Sequence, residues 1–175
     1  MKKALLWTVV ASLVAVSVAR NALWHDDGGI WQDTIRKSPR KARAFNEYGL
    51  HVLNSGNYTE ALNIFEASLD LNPYQPTVYI NLGLALERTN QIDRAIAAYE
   101  RAIDVQPDDP TAYYNLGVLY YTSFKDRDSA LRFFLKARDL DPSEPDVHQY
   151  LGTIYREMGN AAKAAEEMAL SERLR

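Results

Sequence analysis

Histidine, aspartate and glycine stand together in His25-Asp26-Asp27-Gly28-Gly29, a run with side chains of metal-ligand type. A coordination shell needs further ligands from a second cluster, and a chain with three histidines and no cysteine supplies none nearby. The run therefore reads as a polar turn before a helix. His51 and His148 fall in different helical segments, His148 at a packing position, and neither has the neighbours that acid–base chemistry demands. No Gly-rich phosphate loop, Ser-His-Asp order or paired-carboxylate pattern sits in a strand-to-helix context. The absence of cysteine also removes disulfides, thiolate nucleophiles and a lipidated cysteine. The expectation is a chain with no catalytic residue, no metal and no cofactor, whose work is done by a surface.

The charge pattern narrows the partners. Twenty basic and 23 acidic residues are spread along 175 positions, giving a net charge of −3 with no basic stripe to meet a phosphate backbone. Nucleic acid is excluded on that ground. At the N-terminus, Met1-Lys2-Lys3 leads into an uncharged run from Ala4 to Ala19 that Arg20 ends. As a helix this run spans roughly 24 Å at about 1.5 Å per residue, short of a hydrocarbon core of roughly 30 Å unless Trp7 and the flanking cations snorkel to the interfaces. Residues 1–20 read either as a single membrane anchor or as a cleaved signal peptide, with Ser17-Val18-Ala19 as the small-residue cleavage site. Lys2 and Lys3 favour a cytoplasmic start and place the rest outside the cytoplasm, although Arg36, Lys37, Arg40 and Lys41 on the far side weaken that bias.

The elements that must build the surface follow from an internal repeat. Pro39, Pro73 and Pro107 recur every 34 residues, and Pro142 comes one residue late. Gly49, Gly83, Gly117 and Gly152 keep the same step, as do Trp31, Phe65, Tyr99 and Phe134, and Ala61, Ala95, Ala130 and Ala164. The shared slip falls inside Ser123–Arg127, where a loop between helices can absorb it. Each unit holds two amphipathic segments. In one, Tyr79, Leu82, Gly83 and Leu86 share a stripe, and Ile92, Ala95, Ile96 and Tyr99 share the next. The glycine and the alanine let the paired helices approach, the aromatics fill the wider gaps, and proline ends the second helix. Asp109-Pro110 reads as an N-cap followed by proline at the first helical position.

These units resemble the tetratricopeptide-repeat family. Phe45, Tyr48-Gly49, Ala61, Phe65 and Pro73 follow its pattern. So do Tyr79, Leu82-Gly83, Ala95, Tyr99, Ala102 and Pro107, and then Tyr113, Leu116-Gly117, Tyr120, Ala130, Phe134, Ala137 and Pro142. The last unit, with Leu151-Gly152, Tyr155 and Ala164, departs at His148, Met168 and Ser171. The resemblance implies an all-α, right-handed superhelical solenoid of antiparallel helix pairs, preceded here by an N-terminal hydrophobic helix. The units run over 42–75, 76–109, 110–144 and 145–175, after a linker over 21–41 that contains a half-repeat capping helix. More loosely, Arg20 to Pro39 resembles the junction between the last span and the repeats in bacterial polytopic proteins related to glycosyltransferases.

The family resemblance implies a partner-binding groove on the first helices. Carried over, its lining is Asn46, Leu50 and Leu53, then Ile80, Asn81, Leu84 and Arg88, then Tyr114, Asn115, Val118 and Tyr121, and last Gln149, Thr153 and Arg156. Asn81 and Asn115 stand where members of the family hold an extended peptide backbone, since an amide both donates and accepts. The same asparagines could instead satisfy a neighbouring helix. The carboxylate clamp of chaperone-binding members is absent, because Asn46, Thr111 and Asn115 replace its cations. The expected role is a non-catalytic adaptor that binds a protein or peptide in the bacterial cell envelope. It would be anchored in the inner membrane with repeats facing the periplasm or exterior, or exported after signal cleavage. Its alternatives are an accessory domain of a membrane glycosyltransferase system and a scaffold that assembles with copies of itself.

Overall fold

The computed structural model describes residues 27–175, and all secondary structure there is helical. The apolar run within 1–20 and residues 21–26 lie outside the described residues. Among those described, no helix is long and apolar enough to cross a membrane. The chain divides into two compact units, one ending at Pro73 and one running from Tyr74 to Arg175.

In the first unit, α1 (Asp27–Lys37), α2 (Ala42–Asn54) and α3 (Tyr58–Leu71) pack in sequence. Asp27, Gly28 and Gly29 open α1, so that part of the expected polar turn is helix. A Cβ at Gly28 would lie 2.5 Å from the His51 ring, which is how α1 comes so close to α2. Gly49 faces the fully buried ring of Phe65 in the same way, at 2.6 Å. The Tyr48 hydroxyl accepts from Gln32 and donates to Glu60, tying all three helices together. Ser68 donates to the Ala42 carbonyl at 2.9 Å.

The second unit holds α4 (Pro76–Arg88), α5 (Ile92–Val105), α6 (Pro110–Leu119), a π turn (Tyr120–Phe124), α7 (Arg127–Leu140), α8 (Pro145–Glu157) and α9 (Ala161–Leu174). Proline opens α4, α6 and α8, where its missing N–H costs nothing. The Asp109 carboxylate caps α6 by accepting from the Thr111 N–H at 2.9 Å. Helices α5 and α7 stop two residues before Pro107 and Pro142. The atoms nearest to Gly83 belong to the ring of Tyr99, one turn beyond Ala95 on α5: a Cβ there would lie 2.5 Å from the ring. Ala95 and Tyr99 share one face of α5, and the longer side chain is the one that reaches across. Gly117 meets Phe134 and Gly152 meets Met168 by the same rule.

Four residues with positive φ mark equivalent places after the first helices: Gly56 (82°), Asn90 (60°), Lys125 (55°) and Gly159 (79°). The extra residue of the third unit therefore lies before Lys125, in the π turn, and not in a loop. There the Asp126 N–H reaches back to the Tyr120 carbonyl at 3.1 Å. A π turn accommodates one inserted residue without breaking the helix. Tyr113 is half-buried, not a filled core site: its hydroxyl donates to the Pro107 carbonyl at 3.1 Å and the Lys136 ammonium stands 5.8 Å over its ring. His148 occupies the matching place in the next pair, with Nε2 2.9 Å from the Pro142 carbonyl.

Candidate peptide groove

Helices α6 and α8, with the π turn between α6 and α7, carry a continuous aromatic face. Tyr150 stacks on Phe134 at 4.7 Å between ring centroids, inclined by only 10°. Tyr114 and Tyr121 each meet the Tyr150 ring edge-on, at 6.0 and 5.9 Å. Phe134 is fully buried because Gly117 makes room for it, so the glycine–aromatic interlock of the core also fixes the floor of the surface above. Such edge-to-face and offset arrangements hold rings in place at low entropic cost.

A cavity of about 270 Å³ opens on this face, lined by Tyr114, Tyr121, Asp146, Gln149, Tyr150 and Thr153. A second, of 310 Å³, lies beside it between the starts of α6 and α8, with Tyr114, Asp141, Glu144 and Asp146 in its wall. A third, of 410 Å³, is formed by Leu84, Glu87 and Arg88 of α4 with Tyr114, Asn115 and Val118 of α6. Tyr114 lines all three, so the hollows share one wall.

The residues expected to line a groove divide accordingly. Leu84, Arg88, Tyr114, Asn115, Val118, Tyr121, Gln149 and Thr153 are brought to these cavities, whereas exposed Arg156 lines none of the three. Ile80 and Asn81 are buried, at 6% and 8% exposure, and present little to a partner. In the first unit Asn46 and Leu50 are half-buried and Leu53 is buried. Tyr150, Asp146 and Glu157 were missed. Tyr150 stands two residues before its glycine, the offset that picks out Asn81 and Asn115, so the signal was present in the repeat register.

Charge is organised around the rings. The Tyr121 hydroxyl donates to Glu157 at 2.8 Å, and the Arg127 guanidinium donates to the other oxygen of that carboxylate at 2.6 Å. Arg127 first, then Tyr121, hold the Glu157 carboxyl below its ordinary range, and Glu157 in turn raises the Tyr121 phenol. Burial, followed by Tyr150, Asp146 and Glu144, pushes the Tyr114 phenol up to about 12, so it stays a neutral donor at physiological pH. Burial also raises the half-buried Glu87 carboxyl, which accepts from the Tyr99 hydroxyl. Among the described residues there is no group of three or more His, Cys, Asp or Glu that could hold a metal ion.

Paired helices of this length, interlocked glycine to aromatic or methionine and punctuated by proline every 34 or 35 residues, define a repeat protein of the helix-pair class. The chain carries tetratricopeptide repeats: family models described as tetratricopeptide repeat match residues 30–76 and 110–144, and one described as TPR repeat matches 88–123. No curated protein matches the sequence. Among solved structures, a crystal structure of MamA is similar at TM-score 0.73 and 22% identity over 82% of this chain and 84% of that one. MamA from Desulfovibrio magneticus RS-1 is similar at TM-score 0.72 and 24% identity over 95% and 93%. YrrB, described as a TPR protein with an unusual peptide-binding site, is similar at TM-score 0.66 and 21% identity over 92% and 82%. At these identities the likeness establishes the fold.

Proposed function

We propose that this chain is a non-catalytic scaffold that binds a partner protein by an extended segment laid across the face of α6 and α8. The observation that carries this reading is the contiguous Tyr114, Tyr150 and Tyr121 face, open to cavities on both sides. Preordered tyrosines give large contact area with a polar tip, the type enriched at binding hot spots. YrrB, with the same fold, is described by its peptide-binding site, which supports a peptide as ligand here.

We further propose that residues 1–20 hold the repeats at a bacterial membrane or direct their export, a reading that rests on sequence alone. A narrower version, in which the partner is a polytopic membrane glycosyltransferase, rests on residues 20–39 and is tested by copurification from membranes.

The groove is tested by placing a photo-crosslinking amino acid at Thr111, Val118 or Thr153, and at exposed Ala97 on α5 as a control. Crosslinks to one partner from the first three sites and not from Ala97 are expected. Crosslinks from Ala97 alone would move the binding surface to the second helices.

A further inference from the structure

The two cavities on the α6 and α8 face have walls of one sign. Asp141, Glu144 and Asp146 line them and no lysine or arginine does. Among the described residues Asp141 and Glu144 have no cationic partner. Asp141, just past the end of α7, accepts from the Ser143 N–H and hydroxyl, and Glu144 caps α8 by accepting from the Asp146 N–H. Asp146 differs, because the Arg175 guanidinium reaches it from beyond α9 at 3.4 Å and also donates to Gln149. Both of those acceptors line the tyrosine cavity, so a guanidinium of this chain already occupies its edge.

The tyrosines add a second attraction. Elsewhere in this unit cations stand over tyrosine rings: Arg101 over Tyr79 at 5.9 Å and Lys163 over Tyr155 at 5.1 Å. Tyr114 has no such cation among the described residues, yet it walls the acidic cavity.

We propose that this cleft selects a basic segment, taking an arginine or lysine side chain of the peptide between Glu144, Asp146 and the ring of Tyr114. The inference rests on the peptide-binding reading above and deepens it. Apolar residues of the segment lie on Tyr150 and Tyr121, and the cation enters the 310 Å³ cavity. Arg175 competes for Asp146, so it sets a threshold that a weakly basic segment does not pass. Acidic segments are repelled by the same carboxylates.

The test is selection of a random dodecapeptide display library on the full 175-residue chain in mild detergent. Binders are counter-screened against Gln149→Trp, which fills the cleft from an exposed position and leaves the core untouched. Binders lost in that variant are expected to be enriched several-fold in arginine and lysine. Glu144→Gln with Asp146→Asn should weaken them about fivefold or more at unchanged melting temperature, and Arg175→Ala should tighten them about two- to fivefold. Cleft-dependent binders with neutral or acidic sequences would overturn the basic preference and leave the peptide reading standing. Absence of any binder sensitive to Gln149→Trp would overturn both.

Discussion

The Nδ1 atom of His148 lies 2.6 Å from Oε2 of Glu167, and both side chains are buried, at 3% and 8% exposure. The other Glu167 oxygen accepts from Arg138 at 3.1 Å, and the other His148 nitrogen faces the Pro142 carbonyl. A neutral imidazole has one N–H and serves one of its two acceptors, whereas the doubly protonated ring serves both. Three helices, α7, α8 and α9, are joined by this triad where the repeat pattern calls for an aromatic residue.

Glu167→Ala is therefore expected to destabilise the second unit by about 1–3 kcal/mol, because it leaves the buried His148 Nδ1 without its partner, while half-buried Arg138 keeps its bonds to Asp139. Hydrogen exchange should show α9 opening first. An unchanged melting curve would show that the triad contributes nothing.

Gly83→Ala places a methyl group 2.5 Å from the Tyr99 ring, so the two helices must part. A cost of about 1–3 kcal/mol is expected, and more for Gly83→Leu. The decisive measurement is a double-mutant cycle with Tyr99→Leu, where the coupling should be relieving. Additive effects would place the strain elsewhere.

Asn115→Ala should weaken peptide binding without lowering the melting temperature, since its side chain is half-buried at the rim of the 410 Å³ cavity. Tyr113→Ala, one position away, should cost stability instead. Its half-exposed ring and single carbonyl contact predict about 1–3 kcal/mol, less than an emptied aromatic core site. Melting temperature and affinity measured together separate the two outcomes.

Lys125 adopts a left-handed conformation at a position where glycine serves two of the other units, as Gly56 and Gly159, and Asn90 the third. Lys125→Gly is expected to stabilise the fold by about 1 kcal/mol, the relief of a Cβ clash partly offset by unfolded-chain entropy. Chemical denaturation reads this directly, and a destabilised variant would argue that the lysine side chain is needed in its place.

Two carboxyls should titrate on opposite sides of the ordinary glutamate value of 4.5, Glu87 above it and Glu157 below. Burial disfavours the Glu87 anion in the folded state, so its protonation on acidification favours folding. The Arg127 and Tyr121 bonds favour the Glu157 anion, so the stability they lend is present above 4.5 and is lost as pH falls through the lowered value. Carboxyl-carbon NMR titration gives both midpoints, and a shared midpoint would refute the assignment.

Much of the fold was legible because its rules are periodic. Four series of small and aromatic residues in one phase dictate where helices touch, and the structure puts each glycine under a ring or a methionine. That the Tyr99 ring comes nearest to Gly83 was not legible, because alanine and tyrosine share one face of α5 and side-chain length decides which reaches furthest. The π turn was hidden for another reason: an inserted residue looks the same in sequence whether a loop or a helix absorbs it. Register alone puts Tyr114, Asn115 and Tyr121 on α6 and its extension. Tyr150 shares the register of Asn81 and Asn115, but its stacking on Phe134 joins two helices and leaves no mark in the spacing along either one.

The stacked tyrosines have an optical consequence. Trp7, Trp24 and Trp31 are the only tryptophans, so none lies in the unit from Tyr74 onward. Tryptophan emission therefore reports on the N-terminal part of the chain alone, while the coupled phenol rings of Tyr114, Tyr121 and Tyr150 add near-ultraviolet dichroism from the second unit. The two units can be followed independently in one unlabelled sample, and a ligand seated on the groove would announce itself in the tyrosine bands while the tryptophan signal stays still.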